Sequence, residues 1–157
     1  DGRRILTRAF SMTSSTIMVR RASLNGVRFD ERLTTAEDRD LWIRIAASGA
    51  LWFDSKVLAT VARLENSLSS RDVDLDCQCM LDVLSRYTDL VDPHEIRRWE
   101  ARTYRRWAGH LVSAGKSRNA IRSAWAWWSR EWWNLKALWL FARSFASMIL
   151  DGRRKHT

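Results

Sequence analysis

Phe29-Asp30-Glu31-Arg32-Leu33-Thr34-Thr35-Ala36-Glu37-Asp38-Arg39-Asp40-Leu41-Trp42-Ile43-Arg44-Ile45-Ala46 sets adjacent carboxylates at the mouth of an expected helix. Thr34 followed by Glu37 has capping-box spacing, and Thr35 with Asp38 offers a second frame. The helix should run to about Ser48, with Leu41, Trp42, Ile45 and Ala46 on one face and Gly49 as its stop. The carboxylates have three chemistries open to them. They can satisfy the helix dipole and nothing more. One of them can act as a general base toward a hydroxyl. Or they can bind a hard divalent cation such as magnesium or manganese. Spacing alone does not choose.

Outward from this stretch, composition limits what the rest can be. The chain has 157 residues, 46% hydrophobic with ten Trp, enough for a packed core. Six Gly and one Pro argue against a turn-rich sandwich, so helix should dominate. Twenty-seven Lys and Arg against 18 Asp and Glu leave a formal charge of +9, which suits an anionic partner. Cys77 and Cys79 give no disulfide framework and suit a reducing, cytoplasmic compartment. On a helix they point about 200° apart, at roughly 100° per residue, so they read as packing residues rather than as a chelate. The chain opens on Asp1-Gly2-Arg3-Arg4, with no initiator Met and no signal peptide, which reads as a piece of a longer protein. The longest apolar stretch, Leu135 to Leu150, is short of the roughly 20 residues of a membrane span and carries Lys136 and Arg143.

Before the organising stretch, Ser14-Ser15-Thr16-Ile17-Met18-Val19 reads as a strand. Arg20 to Leu24 reads as a helical turn closed by Asn25-Gly26. After it, Leu51-Trp52-Phe53 and Val57 to Val61 read as short strands around an Asp54-Ser55 turn. Residues 66–71 turn to Ser and Asn and mark an expected domain boundary, giving domains 1–70 and 71–157. Beyond the boundary everything reads as helix. One helix should run from Val73 to Tyr87 with Cys77, Met80, Leu81 and Leu84 inward. Asp92-Pro93-His94-Glu95 is a helix start, with an acidic cap and Pro in the first position. Ile96, Trp99, Thr103, Trp107, His110, Leu111 and Ala114 follow a helical stripe to a stop at Gly115. A further helix, Ser117 to Arg130, should turn Ala120, Ile121, Ala124 and Trp128 inward. Tyr104, Ala108, Leu111, Gly115, Ala120 and Ala124 resemble one tetratricopeptide hairpin, without the Pro expected after its second helix. A single repeat cannot bury its own face.

From Trp132 to Leu150 aromatic residues sit beside cations, and Arg153-Arg154-Lys155 follows. That suits a helix lying on an anionic membrane surface, or one that caps the hairpin. Arg97, Arg98, Arg102, Arg105 and Arg106 with Trp99, Tyr104 and Trp107 offer charge and aromatic interleaving for nucleic acid. Several of those aromatics belong to the core stripe, so a solvated basic face ranks ahead of nucleic-acid binding.

Three ordered blocks carry a resemblance. Thr13-Ser14-Ser15-Thr16-Ile17-Met18-Val19-Arg20-Arg21, then Phe29-Asp30-Glu31-Arg32-Leu33, then Glu37-Asp38-Arg39-Asp40-Leu41-Trp42-Ile43-Arg44-Ile45-Ala46 resemble the acceptor-side half of a family 2 glycosyltransferase, over about Ser11 to Ser69. The resemblance implies an α/β segment, part of a nucleotide-diphospho-sugar transferase fold, followed by an all-α helical extension and mostly helical overall. It implies an inverting enzyme of polysaccharide biosynthesis that moves a sugar from a nucleotide-sugar donor to a hydroxyl of a glycan or lipid-linked acceptor. The location that it implies is the cytoplasm or, peripherally, the inner face of the membrane. The family's Glu-Asp pair falls on Glu37 and Asp38, with Asp38 the general base and Glu37 an acceptor contact or orienting partner. Substrate contacts are implied for Ser14, Ser15, Arg39 and Arg63, while Trp42 and Arg44 pack and tie the motif helix. A divalent cation, magnesium or manganese, is implied for the diphosphate, with Glu65 the one candidate ligand in this half.

The chain departs from the family pattern in three places. Arg39 replaces the usual aromatic after the Glu-Asp pair. Val27-Arg28 stands where Gly usually precedes the Phe-Asp-Glu. Arg63-Leu64-Glu65 occupies the place of an Arg-x-His. The donor half of the family, with its nucleotide-binding strands and its own Asp-x-Asp metal motif, is absent and no Gly-rich phosphate loop appears, so this stretch alone should bind a sugar nucleotide poorly. The reading from a different class is a helical adaptor or membrane-peripheral module with no chemistry, resting on the hairpin and the Trp-rich tail.

Overall fold

In the computed structural model, residues 14–49, 52–54, 56–57, 59–60 and 72–154 are described, with side chains described as far as residue 146. Among the described residues there are six α-helices and no strand, so the protein is mostly helical. A 3₁₀ turn, Ser14–Thr16, leads to α1 (Arg21–Leu24) and α2 (Glu37–Ser48). Then come α3 (Val73–Arg86), α4 (Pro93–Ser113), α5 (Ser117–Arg130) and α6 (Leu135–Arg154). Two compact units divide the chain, Asp1–Glu95 and Ile96–Thr157. The boundary expected over 66–71 lies outside the described residues, and α3, read from composition as the start of the extension, belongs to the first unit.

In the first unit the buried apolar residues come from α2, α3 and the loops beside them: Leu33, Leu41, Ile43, Ile45, Cys77, Met80, Val83, Leu84 and Val91. α2 is buried on more than the one expected stripe, since Ile43 is fully enclosed and Trp42 only half-buried. The Ser14–Val19 segment corrects the expectation of a strand. Ser14 O accepts from Ile17 N and closes a turn, and residues 17–20 carry no secondary structure and have no paired neighbour among the described residues. Ile17 and Val19 are half-buried while Thr16, Met18 and Arg20 are exposed, so the period of two survives without a ladder. Of the second pair of expected strands, 52–54, 57, 59 and 60 are described and carry no strand structure, while 51, 58 and 61 lie outside the described residues. Gly49 does end α2, but in an extended conformation (φ −156°) that any residue adopts, not in a left-handed cap. Asp72 caps α3 by accepting from Leu75 N at 2.9 Å.

The second unit is an antiparallel helix pair with a third helix laid on it. Gly115, at φ +69°, ends α4. Gly115 N donates to Val112 O and Lys116 N to Leu111 O, the paired bonds of a Schellman turn. The turn reverses the chain in three residues. The Arg130 Nε bond to Glu100 Oε2 (2.7 Å) then fixes the far ends of α4 and α5 together. Ala101, Ala108, Ala120, Ala124 and Ala137 are completely buried. Side chains this small allow close helix approach, and Trp127 fills the space between Ala101 and Ala137. It is Trp127, rather than Trp128, that turns fully inward. Asn134 caps α6, its Oδ1 accepting from Lys136 N. The inner side of α6 consists of Ala137, Leu140, Phe141 and Ser144, with Phe141 against Trp125 at 5.7 Å between ring centroids.

Candidate functional site

The site is the N-terminus of α2 and the loops that meet it. Neither expected capping box forms. The N-cap is Ala36, in a left-handed conformation (φ 61°, ψ 10°) with no side-chain cap bond. A Cβ residue there carries strain of about 1–2 kcal/mol, placed beside the carboxylate pair as strain often is at working sites. The sharp turn starts the helix at Glu37 and leaves Thr35 behind it, with Oγ1 buried and unbonded. Glu37, Asp38 and Asp40 thus occupy the first turn, where the helix dipole favours negative charge.

Asp38 is held at both oxygens. Oδ1 accepts from the backbone N–H of Arg39 at 2.7 Å, one of the amides the first helical turn leaves open. Oδ2 accepts the Ser14 hydroxyl at 2.9 Å, from 24 residues upstream. The structure therefore brings together two sequence-expected residues, Ser14 and Asp38, at hydrogen-bond distance. Glu37 and Arg39 flank Asp38 in the same turn, both half-buried, and Ser15 is exposed beside Ser14. Arg63 and Glu65 lie outside the described residues.

Behind the Asp38 turn lies a polar cluster that the sequence reading did not single out. Asp40 is 2% exposed. Its Oδ2 takes Arg44, one turn along α2, at 2.9 Å through Nε. Its Oδ1 takes the Tyr87 hydroxyl at 2.7 Å and Arg86 Nη1 at 3.4 Å. Arg44 also donates to the carbonyl of Arg28 at 2.7 Å, tying α2 to the loop before it. Asp30 takes Arg32 in a two-pronged pair at 2.9 and 3.0 Å, and Arg86 at 2.9 Å. Arg86 reaches Asp82 as well, at 2.6 Å. Three carboxylates, Asp30, Asp40 and Asp82, thus meet three guanidiniums, those of Arg32, Arg44 and Arg86. A buried carboxylate is tolerable only when so partnered.

The cluster moves the titration of its members. Side-chain bonds from Arg32 and then Arg86 hold the Asp30 carboxyl well below the usual carboxylate range. Burial, and after it the bond to Asp40, pushes the Tyr87 phenol up to about 12. Asp40 and Arg44 sit four apart, a readable helical pair. Arg86 and Tyr87 are 46 and 47 residues from Asp40 and gave no local signal.

Among the described residues no three His, Cys, Asp or Glu side chains converge to hold a metal ion. Glu65, the one candidate ligand in this half, lies outside the described residues. Cys77 is buried and Cys79 half-buried, and both are free thiols. The chain matches no protein-family model, and no curated protein or solved structure matches it.

Proposed function

We propose that this chain is the acceptor-side, C-terminal part of an inverting family 2-type glycosyltransferase, with Asp38 as its general base. The observation that carries the reading is the Ser14–Asp38 bond: a hydroxyl donates to Asp38 Oδ2 at 2.9 Å, joining the first and third of the ordered blocks. An acceptor hydroxyl needs the same carboxylate oxygen. As that hydroxyl oxygen bonds to the anomeric carbon, the bond from carbon to the nucleoside diphosphate breaks and the hydroxyl proton passes to Oδ2. Oδ1 stays on the Arg39 amide and keeps the carboxylate oriented. No step is routed through a cation.

The α/β half of the reading rests on two further features. Residues 17–20 alternate in burial, which suits an unpaired edge that a donor-binding half would cover. Met18, Phe29, Trp52 and Val57 are exposed in the first unit, as expected of a surface that such a half covers. Glu37 contacts or orients the acceptor, and Arg39, Ser14 and Ser15 line its approach. Arg63 and Glu65 keep the substrate and metal roles that the resemblance implies.

The test is Asp38→Asn in the protein joined to its donor-binding half, followed by sugar transfer to a hydroxyl acceptor. Loss of a positioned base lowers turnover by roughly 10²–10⁴-fold. Turnover near that of the parent overturns the assignment.

A further inference from the structure

The second unit has an uncovered face that the sugar-transfer reading does not use. In α6 the buried side is Ala137, Leu140, Phe141 and Ser144. At about 100° per residue, Leu135, Trp139, Ala142 and Ala146 fall on the opposite side with Leu138 and Phe145 on its flank, and all six are exposed. Leu135 is 78% exposed and Trp139 60%. A soluble surface helix puts polar residues there, and a helix apolar on both sides is normally covered on both. Trp132 and Trp133 stand exposed just before the helix, packed edge to face at 5.9 Å, and extend the same apolar surface from its N-terminal end. No helix among the described residues is long and apolar enough to cross a membrane.

Charge identifies what covers this face. Residues 96–157 hold 14 Lys and Arg against 3 Asp and Glu, a net of +11, while residues 1–95 carry a net of −2. Two of the three acids are used inside the unit, Glu100 by Arg130 and Glu131 by Trp127 and Asn134. Lys136 and Arg143 border the apolar arc of α6, the Arg143 guanidinium lying 5.3 Å over the Trp139 ring. A second copy would bring +11 against +11. A nucleic acid offers phosphate to the cations but nothing for Leu135, Leu138 and Phe145.

We propose that the outer face of α6, with Trp132 and Trp133, lies in the interface of an anionic lipid bilayer, apolar side chains inserted and Lys136 and Arg143 at the phosphates. Trp at the headgroup level and cations flanking an apolar arc match that boundary chemically.

The experiment is flotation of the full chain with vesicles of phosphatidylcholine containing phosphatidylglycerol, alongside vesicles of phosphatidylcholine alone. The parent floats with the anionic vesicles and dissociates as salt rises. Replacing Leu138, Trp139 and Phe145 together by Gln leaves charge unchanged and weakens binding about a hundredfold, with the helical circular-dichroism spectrum of the folded chain retained. Lys136→Gln and Arg143→Gln each weaken it roughly fivefold, on anionic vesicles only. A parent that stays in the soluble fraction at low salt overturns the proposal. So does a triple variant that binds as tightly as the parent. A parent that dimerises in solution through these three residues assigns the face to a second copy and also overturns it.

Discussion

The two units hold themselves together by opposite means. In the first, a carboxylate with almost no exposed surface is the centre: Asp40 is reached by Arg44, Arg86 and Tyr87, and Arg86 carries the bonding on to Asp30 and Asp82. In the second, the centre is apolar and small, five fully buried alanines, two of which (Ala101 and Ala137) pack with Trp127. Bonded networks fix angles as well as distances, so the first unit can hold a carboxylate at a set orientation. Alanine-lined helix contacts fix distance alone, which suffices to present a surface. Eight of the ten Trp lie in residues 96–157, most of them far from a fully buried position.

If that contrast is right, single substitutions should separate the units sharply. The largest effect falls on Asp40→Ala, which leaves Arg44 and Arg86 without their buried counter-charge. It should cost about 3–5 kcal/mol of stability by urea unfolding. Tyr87→Phe removes a hydrogen bond to a charged group and should cost about 1.5–3 kcal/mol. It also has a pH signature. The phenol's folded value, about 12, lies above its ordinary 10. The stability contributed by its neutral form is complete below pH 10 and is lost as pH rises to about 12, because the unfolded chain gives up the proton first. The parent should lose stability across that window, and the Phe variant should lose less. With only two Tyr in the chain, the ionisation can be followed directly by absorbance.

In the second unit, Ala137→Leu forces a larger side chain against Trp127 and Ala101 and should cost about 1–3 kcal/mol in the same measurement. The smallest effect is expected at Leu135→Gln, within about 0.5 kcal/mol, since its side chain is 78% exposed. A large loss there would mean that the outer face of α6 is covered within the chain, and the division drawn here between the units would fail.

What could be read from the sequence follows the range of the signals. Asp92-Pro93 and Gly115 announced α4's limits, because a cap, a proline and a left-handed glycine act on their own neighbours. The same locality explains the correct edges of α3 and α5. The capping boxes at Thr34 and Thr35 failed because the chain turns left-handed at Ala36, which no pattern of side chains announces. The Ser14–Val19 strand failed because strand propensity depends on a partner, and none pairs with it among the described residues. For the candidate site, the Glu37-Asp38 pair was picked out at the start of its helix, while the bond from Ser14, 24 residues upstream, was not expected. Nor were Arg86 and Tyr87, since nothing near them in sequence marks a contact some 46 residues away. On α6, composition left membrane contact and hairpin capping open, and the burial of Ala137 and Ser144 places one side of the helix on the hairpin.

The central claim is that two neighbouring carboxylates in one helical turn divide the work, Asp38 for chemistry and Asp40 for holding the turn in place. Asp38→Asn and Asp40→Asn should therefore be compared side by side in the protein with its donor-binding half, by sugar transfer and by thermal unfolding. The expected result is that Asp38→Asn loses transfer with its melting temperature unchanged, while Asp40→Asn melts several degrees earlier. Transfer that survives Asp38→Asn, in protein that melts like the parent, would contradict it.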